Sequence, residues 1–148
     1  MSVPEMNYEY IIQQYLAEFE TLTMESLHST LLTLLDAQIE FKDPFNHVNT
    51  SQQYRLIFEH MFDNCDSPSF HVNHYFVKQN RASVYWRFEF KTRQKSEIKT
   101  MIGNSYIEVN EQGLICRHID YWDSAEQFYE HIPLIGWVIK QIKRRLQV

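Results

Sequence analysis

Several residue types are scarce in this chain of 148 residues, and each scarcity excludes a class of protein. The 2 cysteines, Cys65 and Cys116, lie far apart and form no C-x-x-C unit, which argues against a disulfide scaffold or a zinc motif. With only 3 glycines, the chain has neither a Gly-rich phosphate loop nor a G-x-S-x-G elbow. His71 and His74 are predicted on opposite faces of a strand, which separates them as metal ligands. We therefore expect no metal and no cofactor.

Long apolar runs and excess positive charge are absent as well. The longest apolar run, Ile132 to Ile139, is too short to cross a bilayer. The start of the chain, Met1 to Tyr10, has neither the basic nor the apolar region of a secretory signal. A net charge of −5 gives no electrostatic basis for binding nucleic acid. These absences predict a cytoplasmic protein that does not bind nucleic acid.

Aromatic residues, in contrast, make up 15% of the chain, which predicts elements lined by rings and a cavity walled by them. Apolar positions three and four residues apart predict helices in the first part of the chain. Thr50 and Gln53 resemble a capping box at the start of one of these helices. The predicted elements are a helix over Tyr8 to Phe19, a second helix over Leu27 to Leu35, a strand over Ala37 to Lys42, a loop over Asn46 to Asn49, and a third helix over Tyr54 to Phe62 that ends at Asn64 to Pro68.

The apolar period changes to two after Phe70, which predicts antiparallel strands. Val84, Trp86, Phe88 and Phe90 alternate with polar or outward residues. Further strands are predicted over Glu97 to Val109 and Leu114 to Trp122, joined by a turn at Gly113. Helices followed by a curved meander indicate one α+β domain, residues 1–148, in which the helices fold into the concave side of the sheet and leave a pocket.

The end of the chain is predicted to be helical. Asp123 and Glu126 are placed to cap a helix that Pro133 breaks, and a final helix follows. Its apolar stripe lies opposite the basic residues Lys140, Lys143, Arg144 and Arg145. Such a stripe usually packs on its own domain, so we expect no membrane contact, although an interfacial membrane helix has the same pattern.

The segment Phe41-Lys42-Asp43-Pro44-Phe45 places one carboxylate among aromatic side chains. A carboxylate in apolar surroundings tends toward a raised pKa, which suits a general base. The alternative is that Asp43 simply caps a turn that begins at Asp43-Pro44. Either interpretation places Asp43 at the end of a strand.

In these features the sequence resembles the nuclear transport factor two-like α+β cone, particularly its SnoaL-like and ketosteroid isomerase-like members. The resemblance covers nearly the whole chain and rests on Tyr15, on the segment around Asp43, on the helix over Tyr54 to Phe62, and on the final strand from His118 to Asp123. It implies that Asp43 is a base and that Tyr15 donates a hydrogen bond to a developing oxyanion. Where the isomerases have a second acidic donor, this chain has Ser105, which argues against a true ketosteroid isomerase.

The resemblance implies that the final strand turns His118, Asp120 and Trp122 toward the expected pocket. The resemblance to SnoaL-like cyclases implies that His118 and Asp120 handle protons. Limonene epoxide hydrolases activate water with an Asp-Arg-Asp arrangement, of which this chain has carboxylates at Asp43 and Asp120 but no pocket arginine. Arg87 and Arg117 are predicted to face outward, away from the pocket. The alternative is a structural one, in which His118 and Asp120 satisfy a buried polar patch without chemistry. The predicted catalytic residues are Asp43, His118, Asp120 and Tyr15, and the predicted substrate-binding residues are Phe41, Phe58, Trp86, Phe88, Ser105 and Trp122.

Three functions follow from this site. The first is a cofactor-free isomerase, cyclase, dehydratase or epoxide hydrolase that acts on a small, mostly apolar, oxygen-bearing molecule. The second is a carrier that binds the same ligand without turnover. The third is a dimeric adaptor, since members of the superfamily often pair as homodimers through the outer face of the sheet. Tyr85, Ile119 and Tyr121 are predicted to leave apolar surface on that face.

Overall fold

A computed structural model describes residues 4–92, 97–127 and 133–148. The elements follow the order that the sequence predicts, with most of the helices first and the antiparallel meander later. The elements are α1 (Tyr8–Glu20), α2 (Met24–Ser29), a 3-10 helix (Leu31–Leu34), β1 (Leu35–Lys42), β2 (His47–Val48), α3 (Ser51–Asn64), β3 (Cys65–Lys78), β4 (Arg81–Thr92), β5 (Ile98–Val109), β6 (Ile115–Tyr121), α4 (Ser124–Gln127) and α5 (Pro133–Leu146).

Local capping interactions fix where the first helices begin. The Asn7 side chain accepts a hydrogen bond from the Tyr10 backbone and starts α1. Thr50 does the same for α3 by accepting from the Gln53 backbone, as predicted, whereas the Gln53 side chain accepts from the Asn49 backbone. These caps satisfy amides that a helix start leaves without partners. The apolar stripe of α1 is confirmed, with Ile12, Tyr15, Leu16 and Phe19 buried.

Three predicted boundaries are wrong. The second helix ends at Ser29 and a short 3-10 helix follows, so that Leu35 already belongs to β1. The predicted loop over Asn46 to Asn49 contains β2, which forms an antiparallel hairpin with β1. The third helix ends at Asn64 as predicted, but β3 begins directly after it at Cys65 and not at Phe70. In each case pairing with a distant strand outweighs the local pattern.

The six strands form one curved, open sheet in the order β2-β1-β6-β5-β4-β3. All neighbours are antiparallel except β1 and β6, the second and third strands in this order, which run parallel. This parallel pairing places Phe41 beside His118, and it joins the first strand along the chain to the last one. The α1 and α3 helices contribute side chains to a core that also includes the inward residues of the sheet.

A β-bulge in β3 changes which face its histidines occupy. His71 pairs with Arg87 and His74 with Tyr85, with the register shifting between Val72 and His74. Because Arg87 and Tyr85 are two residues apart on β4, His71 and His74 share a face of the sheet. The predicted separation onto opposite faces is therefore wrong.

The outer face of the sheet was predicted to expose apolar surface at Tyr85, Ile119 and Tyr121, and Ile119 does not fit this prediction. Tyr121 is exposed, and Tyr85 stacks on the His74 ring with centroids 5.0 Å apart. Ile119 is buried, with only 9% of its surface exposed, so it adds little apolar surface to that face. Arg87 and Arg117 point outward as predicted, and they pair with Glu89 and Glu40.

The last described elements are helical. Asp123 Oδ1 accepts a hydrogen bond from the Glu126 backbone and caps α4, as predicted. The expected continuation of this helix toward Pro133 falls in residues 128–132, outside the described part of the chain. Within that described part, no helix is both long and apolar enough to cross a membrane.

Candidate active site

The alternation of β6 turns His118, Asp120 and Trp122 toward the helices, as the sequence predicts. These three side chains line a cavity of about 700 Å³ between the sheet and the helices. Most of its wall is apolar, and a few polar groups converge in it, an arrangement typical of ligand sites. The wall contains nine of the ten predicted site residues, namely Phe41, Asp43, Phe58, Trp86, Phe88, Ser105, His118, Asp120 and Trp122.

Two neighbouring strands place hydrogen-bond donors on Asp120. The His118 Nε2 atom lies 2.7 Å from Asp120 Oδ1, and the Ser105 hydroxyl, directly across on β5, donates to the same oxygen. The Trp86 indole nitrogen donates in turn to Ser105 Oγ at 2.7 Å. The Asp120 side chain is 17% exposed, so it is partly accessible from the cavity. Among the described residues, His118 and Ser105 thus both contact Oδ1 of Asp120.

The other ring nitrogen of His118 faces the helices. His118 Nδ1 lies 2.8 Å from the Tyr15 hydroxyl of α1, and that hydroxyl lies 2.7 Å from the Tyr54 hydroxyl of α3. His118 is also packed among aromatic rings, including Phe19 and Phe41. A continuous hydrogen-bonded chain therefore runs from Tyr54 to Trp86.

The direction of these hydrogen bonds follows from Asp120. An ionised carboxylate only accepts, so His118 Nε2 carries a hydrogen and donates it. For an ionised Asp120 and a neutral His118 ring, Nδ1 then accepts from the Tyr15 hydroxyl, and the Tyr15 oxygen accepts from Tyr54. Every donor in the chain points toward Asp120 from both ends. Such an arrangement holds negative charge at one defined atom and fixes the tautomer of His118.

Gly103 makes room for Trp86, the residue at one end of the hydrogen-bonded chain. It pairs with Trp86 across β4 and β5, and the indole passes over its backbone. A Cβ atom at this position would lie 2.4 Å from Trp86 Cζ2, closer than atoms approach without a rearrangement. The absence of a side chain at Gly103 therefore sets how Trp86 reaches Ser105.

Asp43 lines the cavity but uses its carboxylate in a turn. Its Oδ1 accepts hydrogen bonds from the backbone amides of Phe45 and Asn46, at 2.8 and 2.7 Å. The Asn46 side chain adds a third contact at 3.1 Å. This is the turn-capping arrangement that the sequence also allowed. The role of Asp43 as a base remains a prediction.

Tyr15 is the one predicted site residue that does not line the cavity. It is fully buried behind His118, and its hydroxyl already contacts His118 and Tyr54. Its predicted role as a donor to a ligand oxygen therefore stays a prediction, whereas contact with His118 is observed. Sequence reasoning missed Tyr54 as a member of the site, because its helical stripe indicated burial but gave no partner for its hydroxyl.

Burial raises the pKa of Tyr15 well above its ordinary value of 10.0, and the neighbouring Tyr54 raises it further. Burial likewise raises the pKa of Tyr54 well above that value, although the hydrogen bond with Tyr15 opposes the shift. Both hydroxyls therefore stay protonated in the folded chain at pH values that ionise tyrosines in the unfolded chain.

This difference predicts a loss of stability in alkali. The contribution of these two tyrosines to the free energy of unfolding is fully present below pH 10. It falls as the pH rises above 10, by about 1.4 kcal/mol per pH unit for each residue. Urea unfolding at a series of pH values above 10 measures the slope. A Tyr15→Phe/Tyr54→Phe double variant is the control and should lose most of it; an equal slope in both proteins would contradict the prediction.

The part of the chain that the structure describes contains no group of three or more His, Cys, Asp or Glu placed to hold a metal ion. The two cysteines are free and half-buried. Burial raises the pKa of both thiols. The polar and ionisable side chains that line the cavity include Asp43, Asn46, His60, Cys65, Ser105, His118 and Asp120.

Comparison with known proteins identifies the family. Residues 12–118 match the SnoaL-like domain family, which is more than half of the chain. No curated protein matches the chain in sequence. Solved structures match it in fold at low identity, so they support the fold and not the activity.

Three of these structures illustrate the likeness. A nuclear transport factor two-like protein from Exiguobacterium is 13% identical with a TM-score of 0.65, covering 76% of this chain and 98% of that one. A protein of ketosteroid isomerase-like fold from Catenulispora acidiphila, in complex with trimethylamine, is 9% identical with a TM-score of 0.66, covering 85% and 91%. A candidate polyketide cyclase from Xanthomonas campestris is 12% identical with a TM-score of 0.65, covering 80% and 92%. The chain belongs to the SnoaL-like domain family and has its nuclear transport factor two-like α+β fold.

Proposed function

We propose that this chain binds a small, mostly apolar, oxygen-bearing molecule in the cavity and transfers a proton on it without a cofactor. The reaction class is that of an isomerase, cyclase, dehydratase or hydrolase. The single observation that carries the proposal is the hydrogen-bonded chain that converges on Asp120 at the wall of an apolar cavity. A carboxylate poised beside an apolar ligand is the arrangement that general-base catalysis requires.

In this mechanism Asp120 is the base. Its Oδ1 atom is held by Ser105 and His118, which leaves Oδ2 to take a proton from the ligand. His118 and Ser105 are positioning residues, because they orient the carboxylate and stabilise its charge. After the transfer, the same carboxyl group returns the proton at another atom of the ligand, as isomerisation or ring closure demands. The apolar wall excludes water from the reacting atoms.

The alternative is a carrier with no turnover. It is favoured by the fact that every donor in the chain already has an acceptor inside the protein, so the chain also works as a satisfied structural network. Catalysis is favoured by one of the similar structures, which is a candidate polyketide cyclase.

Deuterium exchange distinguishes these functions without a known product. The chain is incubated in D2O with apolar ketones, enones and β-diketones, and mass spectrometry measures deuterium at the carbon beside the carbonyl. Binding is followed separately by the fluorescence of Trp86 and Trp122. Exchange faster than in buffer supports the enzyme. Binding without exchange supports the carrier, and neither binding nor exchange contradicts both.

A further inference from the structure

The last helix, α5, exposes an apolar face. Its apolar residues recur three and four positions apart, which places them along one side of the helix. Within the helix, Gly136 is buried and Ile139 half-buried. Trp137 is also exposed, at 62%. The exposed side chains of the stripe are Leu134, Ile135, Val138, Ile142 and Leu146.

Charge is segregated onto the same helix. α5 contains four basic residues and no acidic one, and Lys140, Arg144 and Arg145 are exposed. The whole chain has a net charge of −5, so the residues outside α5 carry −9. The acidic remainder is repelled by an anionic surface, whereas α5 is attracted to one. The helix is therefore the one described element whose charge and apolar face both suit such a surface.

We propose that α5 docks the chain on an anionic lipid surface, which departs from the expectation that its apolar stripe packs on its own domain, because five side chains of that stripe are exposed. Helices that lie in a membrane interface combine an apolar face with Lys and Arg side chains, and exposed Trp favours the same zone. At 14 residues α5 is about 21 Å long, which suits lying in the plane of the membrane. Pairing with α5 of a second copy would cover the apolar face but would bring eight basic side chains together. This proposal is independent of the proposed catalysis.

Vesicle co-sedimentation tests the apolar face. The full chain is mixed with vesicles of phosphatidylcholine and phosphatidylglycerol in equal parts, and with vesicles of phosphatidylcholine alone. We expect binding to the first and much weaker binding to the second. Val138→Ser/Ile142→Ser should weaken binding by at least about tenfold, because both side chains leave the acyl region. Phe76→Ser, at an apolar residue of β3 that is even more exposed than Val138 and Ile142, is the control and should bind normally.

A second pair of variants tests the charges. Lys140→Gln/Arg144→Gln should weaken binding by about fivefold for each charge removed, and added salt should weaken it further. Lys99→Gln, at an exposed lysine of β5, is the matched control and should leave binding unchanged. Circular dichroism and melting curves verify that every variant folds as the unaltered chain does.

Three outcomes would overturn the proposal. One is the absence of sedimentation with either vesicle, and another is equal binding to both, which would remove the role of anionic lipid. The third comes from light scattering. If the unaltered chain is a dimer in solution and Val138→Ser/Ile142→Ser makes it monomeric, a second copy and not a lipid surface covers the face of α5.

Discussion

Replacing Asp120 with Asn is expected to slow deuterium exchange into a bound ligand by about 10²- to 10⁴-fold. Asn has the same shape, and its carbonyl oxygen still accepts from Ser105 and His118, so the hydrogen-bonded chain stays intact. The change removes only the negative charge and the free acceptor that takes the proton. Exchange rates at saturating ligand, together with ligand affinity from Trp fluorescence, measure the two effects separately.

Asp43→Asn is the matched control, because it removes the other carboxylate of the cavity wall. Its Oδ1 also keeps its acceptor role, so the amides of Phe45 and Asn46 remain capped. If Asp120 is the base, Asp43→Asn should retain exchange to within about threefold. The reverse result, in which only Asp43→Asn loses exchange, would assign the base to Asp43, as the sequence resemblance implies.

The strand pattern was enough to find the inner side of the site. Alternation along β6 predicted that His118, Asp120 and Trp122 share a face, and all three line the cavity. The same alternation on β4 and β6 predicted that Arg87 and Arg117 lie outside the cavity. Parity is dictated by the pleat of a strand, so it can be read without knowing which strands are neighbours.

Distances between elements could not be predicted in the same way. The contact between Tyr54 and Tyr15 joins two helices that are distant in sequence, and it depends on how each helix sits against the sheet. The bulge near Asn73 also has no clear local signal, yet it moves His74 to the face that carries His71. A one-residue shift of this kind reverses every later parity on the strand.

Asp43 illustrates a limit of a different kind. Its aromatic neighbours suggested a raised pKa, but the Asp-Pro dipeptide also predicts a turn that satisfies the carboxylate. The structure contains that turn, with three contacts to Oδ1 from Phe45 and Asn46. Asp120 receives its contacts from side chains inside the cavity instead, which is why its surroundings favour it as the base.

Removing groups from the tyrosine end of the hydrogen-bonded chain should lower the free energy of unfolding in a fixed order. Tyr54→Phe removes only a terminal donor and should cost about 1 kcal/mol. Tyr15→Phe leaves the buried Tyr54 hydroxyl without its acceptor and His118 Nδ1 without its donor, at about 1–3 kcal/mol. His118→Phe suits the surrounding rings, but it strips a partner from both Tyr15 and Asp120. It should cost the most, about 2–5 kcal/mol.

Urea unfolding of the three variants at neutral pH measures this order, and a double variant sharpens it. Tyr15→Phe/Tyr54→Phe removes the hydroxyl that Tyr15→Phe alone leaves without an acceptor. The double variant should therefore cost no more than Tyr15→Phe, although it deletes one more group. If the two losses simply add, the Tyr54 hydroxyl does not depend on Tyr15 as its acceptor. The donors would then not run in one direction toward Asp120, and the chain would act as separate pairs.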